Sequence, residues 1–269
     1  PFAWGGEEIA YWDFPVETWW AQYSGVEKWR NFYNFESADV YADEGRTQAL
    51  RLWQELIVDS QTGDFINSIE KPMGKDHNDA QRAFVMGKAA FAPTGSWVET
   101  EVKDFIKDGF EMKMMAVPSI EGPKTDENGK PIRIQNTSAG DFACIPKDAA
   151  NVEGAKAFLA FMNRPEYVDY FSKETGIPRA FNYHPSEIEG ITSFSRSCFD
   201  LFESSRLMFI QSSSPLYTYA GLTKWTNKYG SNIYGNLSGS GRMTAEAISQ
   251  DMYDYARKMW STWVKAAGL

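Results

Sequence analysis

Apolar residues recur at helical spacing in several separate segments of this chain, each bounded by residues that start or stop helices. After Asp43, for example, Ala49, Trp53 and Ile57 fall at four-residue steps, which place them on one face of a helix. This pattern predicts helices after Asp43, near 77–86, over 97–107, after Asn151, between Pro165 and Gly176, over 191–211, and from Thr244 onward. The chain therefore has to fold as a helix-rich protein.

Short apolar runs between these helices predict a few buried strands, at 88–92, 112–117 and 139–146. A hairpin-type turn is predicted at Asp126-Glu127-Asn128-Gly129, where Asn-Gly is the strongest signal. Residues 1–40 are dense in aromatic residues and show no clean period. Many helices with few, short strands indicate the α/β fold class.

Aromatic residues are unusually frequent. Ten Trp, thirteen Tyr and eighteen Phe make up 15% of the 269 residues, more than a core of this size usually needs. Most of them are expected in the core, but some, such as Trp4 and Tyr219, stand beside glycine or polar residues. Broad rings beside hydrogen-bonding groups suit a flat, partly polar ligand.

Charge excludes several kinds of partner. The 27 basic and 36 acidic residues give a net charge of −9, and no basic cluster is present. Nucleic acids require clustered Lys and Arg, so we expect no nucleic-acid partner. An acidic chain is also repelled by an anionic membrane surface, and no run approaches the roughly 18 apolar residues of a membrane span.

Cysteine and histidine are too scarce for most cofactor chemistry. Cys144 lies in an apolar stretch and is predicted to be a buried free thiol, although a disulfide with Cys198 stays open. His77 and His184 lie in polar segments, which makes a histidine-based metal site or a Ser-His-Asp triad improbable. We therefore expect no cofactor and no catalytic residue.

Seven short motifs follow one another in an order that identifies a family. They are Phe84–Phe91 (FVMGKAAF), Thr94–Trp97 (TGSW), Met115–Pro118 (MAVP), Ser138–Gly140 with Ile145–Lys147, Glu153–Met162 (EGAKAFLAFM), Gly176–Pro178 (GIP) and Gly241–Ala247 (GRMTAEA). In this order they resemble extracellular solute-binding protein family 1, the sugar receptors of ABC importers that include maltose-binding protein.

The resemblance implies a two-lobe, periplasmic-binding-protein-like (type II) fold that holds a sugar between its lobes. Residues 1–137 would form the first part of the C-terminal lobe, 138–187 the return segment of the N-terminal lobe, and 188–269 the second part of the C-terminal lobe. The family's opening βαβ part has no counterpart here, so an incomplete N-terminal lobe is expected. The apolar face of the helix after Asn151 would then need cover from the missing N-terminal segment or a second chain; its residues are Ala155, Phe158, Leu159 and Met162.

Trp97 is the strongest candidate for a ligand contact. Ser96 and Glu99 have capping-box spacing, which predicts a helix that begins at Trp97. The first residues of a helix after a strand lie at the sheet edge, where open α/β lobes bind ligands, and the family has an aromatic contact here. The alternative is a ring packed under its own helix.

Further candidates are less well defined by the sequence. Trp4, Tyr11 and Trp12 lie in the aromatic opening, although helical spacing to Trp19 could equally make Tyr11 or Trp12 part of a core stripe. Asp141 could accept hydroxyl protons from a sugar or be an ordinary strand-edge carboxylate. The resemblance also suggests an aromatic contact near Tyr219 and Trp225.

The predicted activity is non-covalent capture of a sugar or oligosaccharide and its delivery to the transmembrane subunits of an ABC permease. The protein would act outside the cytoplasm, in the periplasm or lipid-anchored on the outer face of the cell membrane. The aromatic opening is similar to that of receptors for amino sugars and chitooligosaccharides. Two alternatives stay open: a non-transport sugar-sensing module, and a glycoside hydrolase fragment whose two carboxylates would come from Glu7, Glu8, Glu99 and Asp141.

Overall fold

The computed structural model divides the chain into two compact units. It describes residues 2–34, 36–69, 71–72, 75–119, 125–130, 132–135, 143–179, 181–209 and 233–267. Unit 1 comprises Pro1–Pro93, Val117–Gly140 and Ser205–Leu269, and unit 2 comprises Thr94–Ala116 and Asp141–Ser204. These boundaries differ from the lobe limits expected from the resemblance, because 94–116 and 188–204 fall in unit 2. The lobe assignment itself stays a prediction.

Helices make up most of the secondary structure in the described residues. The α-helices are α1 (Asp13–Ser24), α2 (Val26–Tyr33), α3 (Glu44–Ile57), α4 (His77–Val85), α5 (Val98–Glu101), α6 (Val152–Met162), α7 (Pro165–Thr175), α8 (Ser193–Ser204), α9 (Ile233–Asn236) and α10 (Ala245–Ala267). Short 3-10 helices lie at Ile9–Trp12, Ala38–Ala42, Lys103–Phe105 and Pro185–Glu187. The strands β1 (Ile132–Gln135) and β2 (Arg206–Phe209) pair in parallel, with Ile132 opposite Arg206.

Several predicted helix boundaries are confirmed by their capping groups. The Asp43 carboxylate accepts the Gly45 N–H at 2.7 Å, and Asn151 accepts the Gly154 N–H at 2.8 Å. Gly176 ends α7 in the left-handed region, with φ of 67°. Thr244 precedes α10 and accepts the Ala247 N–H at 3.1 Å. Capping residues are local signals, so the sequence alone places these ends.

The predicted strands are wrong in the described residues. The run 88–92 contributes an isolated bridge between Phe91 and Phe2, 112–117 has no regular structure, and 143–146 is not a strand. The remainder of 139–146 lies outside the described residues. Both observed strands are four residues long, and β2 falls inside the predicted helix 191–211, which ends at Ser204. A short apolar run fits a buried strand, a loop or a helix equally well.

Unit 1 is built around an aromatic core. The long helix α10 packs on α3 and on the 38–42 turn, and α3 packs on α1. Arg51 of α3 donates to Glu246 of α10 at 2.6 Å. Helix α1 buries residues around most of its circumference, which explains why the sequence of Asp13–Ser24 shows no amphipathic period. The largest fully buried side chains in this core include Trp12, Trp20, Trp29, Trp53, Tyr41 and Tyr234.

Unit 2 has a smaller core and a conspicuously exposed helix. Its buried apolar side chains are Val98, Val102, Met112, Val168, Phe194, Cys198 and Phe199. Helix α6 buries no residue at all, and the Phe158 side chain is 60% exposed. On the apolar face of α6, Phe158 is exposed and Ala155, Leu159 and Met162 are half-buried. Cys144 is exposed rather than buried, so that prediction was wrong; Cys198 is buried, and both thiols are free.

Candidate ligand-binding surfaces

Trp97 lies in a tight turn that leads into α5. The Val98 N–H donates to the Gly95 carbonyl at 3.2 Å, and the Trp97 carbonyl accepts from Thr100 and Glu101 at 3.0 Å each. The indole is half-buried and crosses Gly95 so closely that a Cβ there would overlap its six-membered ring. The absence of a side chain at Gly95 therefore sets where this ring lies.

The helix that follows Trp97 is much shorter than predicted. Instead of running over 97–107, α5 ends at Glu101 and is followed by the 3-10 helix Lys103–Phe105. The capping box is also wrong: Trp97 is the N-cap residue, and no side chain caps this helix. Val98 and Val102, which are 1% and 0% exposed, hold it on the core of unit 2.

Glu99 binds a neighbouring helix instead of capping its own. Its Oε2 accepts hydrogen bonds from the Thr192 hydroxyl at 2.6 Å and from the Ser195 hydroxyl at 3.3 Å. Thr192 caps α8, because its Oγ1 accepts the Ser195 N–H at 3.0 Å. The carboxylate therefore lies at the N-terminus of α8, where the helix dipole favours negative charge.

Gly176 completes this junction within unit 2. A Cβ on Gly176 would lie 2.8 Å from the Ser195 hydroxyl and 4.0 Å from the Ser96 carbonyl. The end of α7, the start of α8 and the turn before Trp97 thus meet at one place. Burial, and then the negative charge of Glu99, raise the pKa of the Cys198 thiol below this junction to about 12. That thiol stays protonated and is not a nucleophile at neutral pH.

Trp4 and Trp12 occupy the core of unit 1. They are 5% and 2% exposed, and their rings meet edge to face with centroids 5.9 Å apart. Trp4 also donates to the Ser68 hydroxyl at 2.7 Å, and Trp12 packs against Trp53 at 6.1 Å. This packing corresponds to the core alternative, because other rings already cover their faces. The ligand contacts predicted for these two residues stay predictions.

Tyr11 lies nearer the surface of unit 1 and is half-buried. Its ring stacks on Phe14 with centroids 5.4 Å apart and lies 6.0 Å from His77. The His77 imidazole is 3.5 Å from the Glu8 carboxylate. A stacked aromatic pair beside a carboxylate and an imidazole can take up a polar ring compound, so Tyr11 stays a ligand-contact prediction.

The remaining sequence candidates cannot be placed. Asp141, Tyr219 and Trp225 lie outside the described residues. Their proposed contacts with a ligand stay predictions.

Sequence reasoning missed a buried ionisable pair in unit 1. The Tyr234 hydroxyl donates to Asp13 at 2.5 Å. Burial raises the pKa of Asp13 to about 6, against the opposing effects of the Tyr234 hydrogen bond and of Arg46. The Arg46 guanidinium is itself buried against the rings of Trp20 and Phe32, at 5.6 and 5.4 Å. Only the three-dimensional contact between residues 221 positions apart reveals this pair.

The described residues show neither a metal-binding cluster nor a membrane-spanning helix. Within the described part of the chain, no group of three or more His, Cys, Asp or Glu side chains could hold a metal ion. None of the described helices is long and apolar enough to cross a membrane.

Comparison with known proteins decides the family. The family model for bacterial extracellular solute-binding proteins matches residues 8–183, well over half of the chain. This protein is a member of the bacterial extracellular solute-binding family. The match includes Tyr11, Trp97 and α6, and it places the solute-binding protein among binding proteins that act outside the cytoplasm.

One curated relative of this chain is a sugar-binding protein. This solute-binding protein is similar to the diacetylchitobiose binding protein NgcE of Streptomyces coelicolor (strain ATCC BAA-471 / A3(2) / M145), with 33% identity over 86 residues. That alignment covers 32% of this chain and 18% of the relative, so the chain spans under a fifth of the relative's length. No solved structure matches the chain.

Proposed function

We propose that this solute-binding protein is the substrate-binding component of an ABC importer that captures an oligosaccharide of amino sugars. The observation that carries the proposal is the family match over residues 8–183. The sugar class rests on the similarity to a diacetylchitobiose binding protein and on the aromatic composition of the chain. The complex with ligand would deliver its sugar to the transmembrane subunits of a permease.

Binding in this proposal is non-covalent and uses aromatic stacking. The Trp97 indole would pack against the C–H face of a sugar ring, which aromatic faces favour. Backbone N–H groups and carboxylate oxygens of the protein would form hydrogen bonds with the hydroxyl and acetamido groups of the sugar. Contacts of one ligand with both lobes would favour the closed state of a Venus flytrap, because a ligand shifts an equilibrium only by its difference in affinity.

The same proposal assigns a cellular place and a covering partner. The receptor would work in the periplasm or as a lipoprotein on the outer face of the cell membrane. An apolar side chain as exposed as Phe158, with Phe161 at 41% beside it, marks a contact surface. A partner surface would cover α6 in the working receptor.

A glycan array followed by a hydrolysis assay tests the proposed function. The protein, expressed from its complete gene, should retain chitooligosaccharides and related neutral sugars and release each of them unchanged. Turnover of any glycoside would identify a hydrolase instead. Affinity for peptides alone would also contradict the proposal.

A further inference from the structure

Helix α5 is too short to define its own position. It has four residues, and a single turn is unstable in isolation, so contacts with the rest of unit 2 must hold it in place. Val98 is the first residue of α5 and Val102 is its C-cap residue; they are four positions apart and face the same side. Two contacts on one line fix the depth of a helix, and a contact to the side of that line resists rotation about it.

Glu99 supplies a lateral contact to a neighbouring helix. It is the next residue after Val98, roughly 100° further around the helix. Its carboxylate reaches the first turn of α8, at 2.6 Å from the Thr192 hydroxyl and 3.3 Å from the Ser195 hydroxyl. Hydrogen bonds to an ionised acceptor are stronger than neutral ones, so this contact resists rotation of α5.

Rotation of α5 would carry Trp97 with it. Trp97 is the N-cap residue of α5, and its carbonyl accepts the Thr100 and Glu101 N–H groups. Its indole passes directly over Gly95 with no room for even a methyl group between them. A small change in the angle of α5 therefore changes the plane of the indole.

We propose that Glu99 is a positioning residue for Trp97: by accepting two hydroxyl hydrogen bonds from the start of α8, it fixes the plane that the indole offers to a sugar. The inference rests on the proposed function, in which Trp97 stacks on the ligand. Glu99 itself touches no ligand in this account.

Fluorine NMR of protein labelled with 5-fluorotryptophan tests the position of the ring without reference to binding. The Trp97 resonance is assigned by its absence from Trp97→Phe. Thr192→Val removes the hydroxyl at constant volume, and Glu99→Gln removes the charge while the Thr192 cap of α8 is kept. We expect the Trp97 resonance to shift or broaden in both variants. In Thr192→Ser, which keeps a hydroxyl, the Trp97 resonance should stay at its position in the unsubstituted protein. It should also stay there in Thr100→Val, which changes an exposed residue of α5.

Calorimetry with diacetylchitobiose completes the test. Glu99→Gln and Thr192→Val should weaken binding about three- to tenfold, the range for losing one hydrogen bond, and Thr192→Ser should restore it. An unmoved Trp97 resonance in both Glu99→Gln and Thr192→Val would overturn the positioning role. If the unsubstituted protein binds no sugar, the proposed function fails, whereas the NMR result still decides whether Glu99 sets the ring.

Discussion

Trp97 and Gly95 form one structural element at the start of α5, because the indole occupies the space above the glycine. If stacking area drives sugar binding, Trp97→Ala should weaken it by roughly 1–3 kcal/mol, the range for an aromatic contact in a well-formed site. The melting temperature without ligand should move little, since the ring is only half-buried. Calorimetry and thermal unfolding separate the two effects: a large loss of stability at unchanged affinity would show that Trp97 belongs to the core.

Gly95 provides a matched variant that keeps the indole. Gly95→Ala places a methyl group where the six-membered ring now lies, so the ring has to move. We expect weaker sugar binding although every aromatic atom is still present. Equal affinity in Gly95→Ala and the unsubstituted protein would contradict the account of how the ring is held.

Asp13 should make the stability of unit 1 depend on pH. Its pKa is raised from 3.8 to about 6 by burial, so the folded state holds a proton that the unfolded chain releases. Its stabilising contribution is complete below about pH 4 and is lost as pH rises through about 6, by up to about 3 kcal/mol. Asp13→Asn cannot ionise, so its free energy of unfolding should fall less between pH 4 and pH 7. Urea unfolding at several pH values measures this.

Asp59 is the matched control, because its pKa is shifted in the opposite direction from that of Asp13. Backbone N–H donors of Thr62 and Gln61 lower the pKa of this exposed carboxyl. Its contribution is present above the unfolded pKa and is lost as pH falls, so Asp59→Asn should leave the decline between pH 4 and pH 7 in place. If the free energy of unfolding of Asp13→Asn fell between pH 4 and pH 7 as much as that of the unsubstituted protein, the raised pKa of Asp13 would be contradicted.

At the scale of elements, α6 and α8 differ sharply in what they contribute to folding. Phe158 on α6 is 60% exposed, whereas Phe199 on α8 is 0% exposed. Phe158→Ala should change the free energy of unfolding by no more than about 0.5 kcal/mol. Phe199→Ala should cost about 3–5 kcal/mol, because it removes a fully buried ring and leaves a cavity. Urea unfolding followed by circular dichroism tests the pair, and a loss above about 2 kcal/mol for Phe158→Ala would mean that α6 is packed in solution.

Elements with local signals could be predicted from the sequence, and elements without them could not. Asp43, Asn151, Gly176 and Thr244 fix helix ends through contacts within a few residues, so these helices were predicted correctly. Strand β2 depends on pairing with β1, more than 70 residues earlier in the chain, and no local sequence pattern predicts this pairing. The predicted length of α5 was wrong for a similar reason, since Glu99 contacts the distant Thr192 rather than Ser96.

At the scale of the whole molecule, the order of weak motifs carried more information than any single residue. It predicted the family that the match over 8–183 confirms, although each motif alone is common. Burial was harder to predict: Trp4 stands beside glycine and Trp12 beside an aspartate in the sequence, yet both lie in the core of unit 1. Whether an aromatic ring faces a ligand or a neighbouring helix depends on long-range packing, which composition does not encode.

We propose that this solute-binding protein holds a sugar of the diacetylchitobiose class without transforming it. Isothermal titration calorimetry on the protein expressed from its complete gene tests this directly, with diacetylchitobiose as ligand and cellobiose, which lacks acetamido groups, as the control. The account predicts saturable binding of diacetylchitobiose, weaker binding of cellobiose, and recovery of intact disaccharide afterwards. No heat of binding for either disaccharide, or cleavage of the disaccharide during the titration, would contradict it.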